Sequence, residues 1–247
     1  LRGDEGTYRG GITVAQNLPN NDKPSLTIGG GRRNVYHRQI RTSNSPEALE
    51  KRQKRLNATL REEFHKFYNP EADHWFTIGH ENAHSLGPKS GTEALGKYKN
   101  IIEENKADMG ALALLDILQA QGMYTEDEVK QIIVTYAADN FLKAQPNLSQ
   151  AHRVRTVMQS KYFLEKGAVK LDENNLIDIN IEKMIPTAKE MLAEIIKVQL
   201  SQDFNIGEKY VLDNFVWTQE METISKTLKE IDKSLNAKKA EKKNNLW

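Results

Sequence analysis

The sequence predicts a mainly α protein of the α+β class, with a small β segment near the N-terminus and a short hairpin near 168–180. Three observations lead there. From residue 46 onward, stretches of helical apolar spacing alternate with Gly, Pro and Asn stop signals. Residues 1–45 are instead rich in Gly, Asn and Pro and hold only short extended pieces. Val169-Lys-Leu and Leu176-Ile-Asp-Ile alternate about the turn residues Asp172 to Asn175.

In chain order, Gly11-Ile-Thr-Val-Ala and Ser25-Leu-Thr-Ile read as strands, and Gly29-Gly30-Gly31 breaks any regular element. Ser45 caps a helix with Pro46 at its first position, and apolar spacing runs through Leu56, Leu60, Phe64 and Phe67 until Asn69-Pro70. A shorter helix over about 74–86 closes at Gly87-Pro88. Residues 92–121 read as a longer helix ending at Gly122, with a break available at Gly96. Helices over 125–144, opened by Thr125-Glu-Asp-Glu, and 148–166, closed by Gly167, flank Gln145-Pro146-Asn147. Helices over 181–202, 206–215 and 217–237 follow the hairpin, and the Lys-rich tail after Ala237 is expected to fray. Two parts result: a β/loop segment over 1–45 and a helical domain over 46–247. There is no internal repeat.

The 247 residues suffice for a sizeable core. With 35 basic and 34 acidic side chains the net charge is +1, so no bulk field recruits nucleic acid or an anionic membrane. No apolar run approaches the roughly 20 residues that span a bilayer. The absence of cysteine removes disulfides, thiolate metal sites and cysteine nucleophiles together. Leu1 at the start, without a signal-peptide pattern, suggests a fragment with an upstream part of the same polypeptide, and the expected location is cytoplasmic. Gly29-Gly30-Gly31-Arg32-Arg33 lacks the Lys-Ser/Thr ending of a phosphate-binding loop. Lys238, Lys239, Lys242 and Lys243 read as a solvated tail.

The chemistry concentrates in His80-Glu81-Asn82-Ala83-His84, an HExxH motif. Residues four apart stand one above the other on a helix, so both imidazoles address one point. Two neutral imidazoles suit zinc, and Glu81 beside the first of them can reach an open coordination position. Taken alone, the pattern fits two His on a solvated face equally well. Trp75, Phe76 and Ile78 upstream make the helix core-facing, where unpaired His and Glu are costly.

A second stretch, Glu103-Glu104-Asn-Lys-Ala-Asp108, places Glu104 20 residues beyond His84. The combination resembles the gluzincin peptidases, whose third zinc ligand is a glutamate at about this separation on the next long helix. The resemblance makes His80, His84 and Glu104 the ligands of one zinc ion per chain. It also makes Asp108, one turn after Glu104, the carboxylate that supports a ligand His. Glu103 points about 100° away on the helix and reads as a supporting carboxylate, a cap or an ion-pair partner.

Asn17-Leu18-Pro19-Asn20 and the Gln150-Ala151-His152 helix closed by Glu165-Lys166-Gly167 resemble segments of the dipeptidyl peptidase III family, in the same order. On its own the first is a turn, and His152 is a polar residue at a helix start. The resemblance implies that Asn17 and Asn20 bind the substrate backbone and that His152 faces the metal and stabilises the charged intermediate. It implies a helical zinc-metallopeptidase catalytic domain that releases dipeptides from the N-terminus of short peptides. Glu81 would take a proton from water and pass it to the leaving amine.

The chain departs from the family in two places. Its zinc motif has five residues where typical members have six, and Thr156 stands where they carry an arginine. Bacterial relatives with HExxH-x-Leu-Gly-Pro are more similar, and in some of them the peptidase-like part accompanies a Nudix hydrolase domain. Two other functions compete: a catalytically weak zinc-binding relative with a regulatory role, and a thermolysin-like endopeptidase.

Overall fold

The computed structural model describes residues 15–18, 33–36, 46–88 and 90–244, the side chains of the first two stretches and of 238–244 excepted. The chain is mostly helical, as the periodicity predicts. Two antiparallel strands, β1 (Ala15–Leu18) and β2 (Arg33–Tyr36), pair with Ala15 opposite Tyr36 and Leu18 opposite Arg33. The helices are α1 (Pro46–Thr59), α2 (Ala72–Ala83), α3 (Lys99–Ala113), α4 (Leu115–Ala120), α5 (Glu126–Asp139) and α6 (Ala151–Glu165). A hairpin of β3 (Val169–Leu171) and β4 (Ile177–Ile179) follows, then α7 (Ile181–Ser201), α8 (Phe204–Asn214) and α9 (Gln219–Asn244). No helix among the described residues is long and apolar enough to cross a membrane.

Local chemistry sets most helix starts. Thr125 and Glu128 form a reciprocal capping box at α5. Asn180 and Asp203 accept from the first free N–H groups of α7 and α8. The differences from the sequence reading have tertiary causes. The helix expected to run from Pro46 to Asn69 stops at Thr59, because Leu60 bridges Ile177 of β4 and the Arg61 N–H donates to the Ile177 carbonyl. The chain resumes as a 3₁₀ turn over Glu62–Phe67. The helix expected over 92–121 does break at Gly96, as the sequence allows: a φ of 56° and ψ of −130° there are non-helical and divide it into a 3₁₀ turn over Thr92–Tyr98 and α3. A side chain at Gly96 would meet the Phe204 ring. α5 ends at Asp139 and not at 144. The carbonyls of Asn140 and Lys143 accept instead from Ser160 of α6 and Ser225 of α9. α9 continues to Asn244, past the expected fraying point, since its Ala, Lys and Glu residues favour helix and no breaker intervenes.

α3 is the central helix. α2, α6 and α7 pack round it, and from Ile101 to Ala113 only Glu103 and Glu104 escape full burial. Its apolar residues Ile101, Ile102, Met109 and Leu112 belong to the core. Within that apolar setting Asn105, Lys106 and Asp108 are also buried, and groups of that kind persist only with partners.

α2 reaches α3 through small residues. A Cβ on Gly110 would lie 2.7 Å from the Ala83 Cβ, and one on Gly79 would lie 3.1 Å from the Ala111 Cβ. The two helices are therefore in backbone-close contact beside both halves of HExxH. Replacing Gly110 with alanine is expected to overpack this seam by about 1–3 kcal/mol. Thermal unfolding should show a midpoint lowered by roughly 2–4 °C for each kcal/mol.

Candidate metal centre

Close packing of α2 on α3 brings His80, His84 and Glu104 together. One ligand-type atom from each lies within 4.8 Å of the others, and this is the one such group among the described residues. His80 Nε2 lies 3.1 Å from His84 Nε2 and 3.4 Å from Glu104 Oε2. His80 and Glu81 are buried. His84 ends the helix, with its backbone still in the right-handed helical region.

Each imidazole is held from behind. His80 Nδ1 contacts Asp108 Oδ1 at 2.6 Å, and His84 Nδ1 contacts Glu103 Oε1 at 3.0 Å. An ionised carboxylate can only accept, so both Nδ1 atoms carry a hydrogen and each ring turns its Nε2 away from its carboxylate. The two Nε2 atoms face each other, with the partly buried Glu104 carboxylate alongside. Glu104 Oε2 makes no well-directed hydrogen bond, although His152 Nδ1 stands 3.0 Å away. With both rings in the Nδ1–H form, the three converging atoms are electron-pair donors, and a cation between them relieves their repulsion. Two nitrogens and one oxygen, each nitrogen backed by a carboxylate, form a donor set suited to zinc with one open position.

The surrounding charges fit the same picture. Burial drives the Glu104 carboxyl towards protonation, but His152 and His80 outweigh it and hold it well below the usual carboxylate range. Glu103 is likewise pushed up by burial and pulled below its ordinary value by His84 and Lys106. Glu104 raises the His152 pKa against the effect of burial, and Glu81 adds to the rise, so Glu81 lies within electrostatic reach of His152. His152 itself is a surface group, its side chain 70 % exposed, at the first turn of α6.

Asn17 lies in β1, its backbone opposite Asn34 of β2, and β1 runs beside α2. Asn20 lies outside the described residues. Thr156 donates to the His152 carbonyl within its own helix. Sequence reading passed over four buried groups that complete the centre: Asn105, Lys106, Gln159 and Gln199. Polar residues in otherwise apolar helices were the available signal. Asp108 receives Arg155 and, at 3.0 Å, the Gln159 amide, while Glu103 receives Lys106 at 2.8 Å and the Gln199 amide at 2.8 Å. Asp108→Asn is expected to weaken zinc binding by about 10–100-fold, measured by competition with a chromophoric chelator.

No protein-family model matches the chain. The structure superposes on DPP III from Caldithrix abyssi with a TM-score of 0.76 and 23% identity, over 92% of this chain and 46% of that one. Dipeptidyl-peptidase III from Corallococcus sp. strain EGB gives a TM-score of 0.76 and 23% identity over 90% and 42%. The fold is that of part of dipeptidyl peptidase III. In sequence, the chain is 25% identical over 212 residues to Nudix hydrolase 3 of Arabidopsis thaliana, covering 82% of this chain and 27% of that protein. The chain thus spans less than half of each of these proteins.

Proposed function

We propose that this chain is the zinc-bearing part of a dipeptidyl peptidase III-like enzyme that hydrolyses peptide bonds and releases dipeptides from the N-terminus of short peptides. The observation that carries the reading is the convergence of His80, His84 and Glu104, each imidazole backed by its own carboxylate, on a dipeptidyl peptidase III fold. Zinc held there supplies a Lewis acid that polarises a carbonyl and acidifies water.

The chain's own groups do the rest. Glu81, buried on α2 one residue past the first His, accepts the proton of the attacking water and returns it to the departing amine. His152 stands at the exposed edge of the centre with its pKa raised, so it favours the charged, donating form and stabilises negative charge as the carbonyl carbon becomes tetrahedral. β1, with Asn17, and the segment bearing Asn20 serve as the substrate-binding part, holding the peptide extended by strand addition.

One observation favours a second reading, in which zinc is bound without efficient turnover. Neither arginine near His152 is available to substrate as placed, since Arg153 donates to the Ala144 carbonyl and Arg155 pairs with Asp108. A dipeptidyl naphthylamide assay separates the readings. Arylamine release that stops on chelation and returns with zinc supports the peptidase. Stoichiometric zinc with no release supports the second reading.

A further inference from the structure

The two carboxylates behind the imidazoles are each held in turn by one cation and one glutamine amide. Asp108 Oδ1 takes the His80 hydrogen, and its Oδ2 takes Arg155 and the Gln159 amide at 3.0 Å. Glu103 Oε1 takes the His84 hydrogen and Lys106, and its Oε2 takes the Gln199 amide at 2.8 Å. Each imidazole therefore ends a relay of ring, carboxylate, and then one cation plus one glutamine amide. The two relays come from different helices. Arg155 and Gln159 belong to α6, Lys106 to α3 and Gln199 to α7.

The relays are not required by packing. A largely buried Arg and a buried Lys and two Gln carry desolvation costs that apolar residues of like volume would avoid. Their chemistry gives the reason for their presence. On Asp108 the oxygen filled by Arg155 and the Gln159 amide leaves the other for the His80 Nδ1–H, while on Glu103 the Gln199 amide fills one oxygen and Lys106 pins the other, which takes the His84 Nδ1–H. Each carboxylate is then fixed in place, and its imidazole keeps one orientation. The glutamine ends are pinned in turn. The Gln159 amide also donates to Asn105 Oδ1 at 2.9 Å while its Oε1 accepts from the Tyr136 hydroxyl at 3.0 Å, and Lys106 also donates to the carbonyls of His84 and Leu86 where α2 ends.

We infer that Arg155 with Gln159, and Lys106 with Gln199, are positioning residues that set the zinc affinity of the centre by fixing Asp108 and Glu103 as hydrogen acceptors for the two imidazoles. The inference rests on the metal-centre reading above and goes beyond it, because it gives α6 and α7 a share in metal binding without supplying a ligand. Asp108 and Gln159 are fully buried, whereas the Glu103 side chain is 28% exposed. Water can replace the Gln199 amide but not the Gln159 side, so the Asp108 relay carries the larger effect.

The test is zinc affinity of the full chain, measured by competition with a chromophoric chelator, for Arg155→Met and Gln199→Leu. Tyr162→Phe serves as the control, since it removes a 2.7 Å hydrogen bond to Glu194 on the same helix as Arg155 but outside both relays. Arg155→Met is expected to lose about 10–100-fold in affinity and Gln199→Leu about tenfold, the lower end of that range. Cobalt-loaded forms of both should show altered visible absorption, which a fold-only effect would not produce. Tyr162→Phe should bind zinc as the parent chain does. Because Gln199→Leu lies at the more exposed relay, it reports even if Arg155→Met does not fold. Parental affinity and cobalt spectra in the relay variants, or an equal loss in Tyr162→Phe, would overturn the inference. A parent chain that binds no zinc would instead contradict the metal-centre reading, and zinc binding without peptidase activity only its catalytic part.

Discussion

Glu81→Ala is expected to retain one zinc per chain while lowering peptide turnover by about 10²–10⁴-fold, the usual worth of a positioned acid-base group. Glu81 shares α2 with both imidazoles but is not one of the three converging donors, so its removal leaves the cage complete. Its burial beside the centre and its electrostatic effect on His152 place it where a proton would have to be taken and returned. Glu81→Gln keeps the shape and the hydrogen-bonding reach while removing the base, and should show the same loss. Zinc content by atomic absorption together with steady-state rates on a dipeptidyl naphthylamide checks the pair. Normal turnover in either variant would remove Glu81 from the chemistry.

His84→Ala is expected to act on the metal directly. Loss of a nitrogen donor should cost more than the about 10–100-fold assigned to an outer partner such as Asp108. It should also leave Glu103 with only Lys106 and Gln199 as partners. The parent chain should gain about 2.7 kcal/mol of stability at zinc 100 times its dissociation constant, a midpoint shift of roughly 5–10 °C for a chain of this size. The variant should show no shift at the same zinc concentration. A variant that still takes up zinc and is stabilised like the parent would exclude His84 from the ligand set.

The legible part of the centre was the part encoded by local spacing. His80 and His84 sit four apart on one helix, and Glu104 and Asp108 sit four apart on the next, so each pair shares a face before any tertiary structure is known. That α2 and α3 touch at all depends on Gly79 and Gly110, which in sequence are only glycines inside helices and read as weak points. The relays behind the carboxylates were not legible. Arg155, Gln159 and Gln199 lie 47, 51 and 96 residues from their partners, so even where a polar residue in an apolar helix stands out, its partner does not. Helix boundaries failed for the same reason. Thr59 and Asp139 mark places where a strand bridge or a hydroxyl from another helix overrode local preference, whereas the break at Gly96 was open to the sequence.

The central claim is a cation held between two imidazoles and a carboxylate. X-ray absorption at the zinc edge of the metal-loaded protein tests it most directly. The expected spectrum shows two nitrogen neighbours at about 2.0–2.1 Å and oxygen neighbours at about 2.0–2.2 Å, and its histidine scattering vanishes as a pair signal in His80→Ala. A spectrum with only oxygen neighbours, or one unchanged in His80→Ala, would mean that zinc binds elsewhere and that this cluster is not a metal centre.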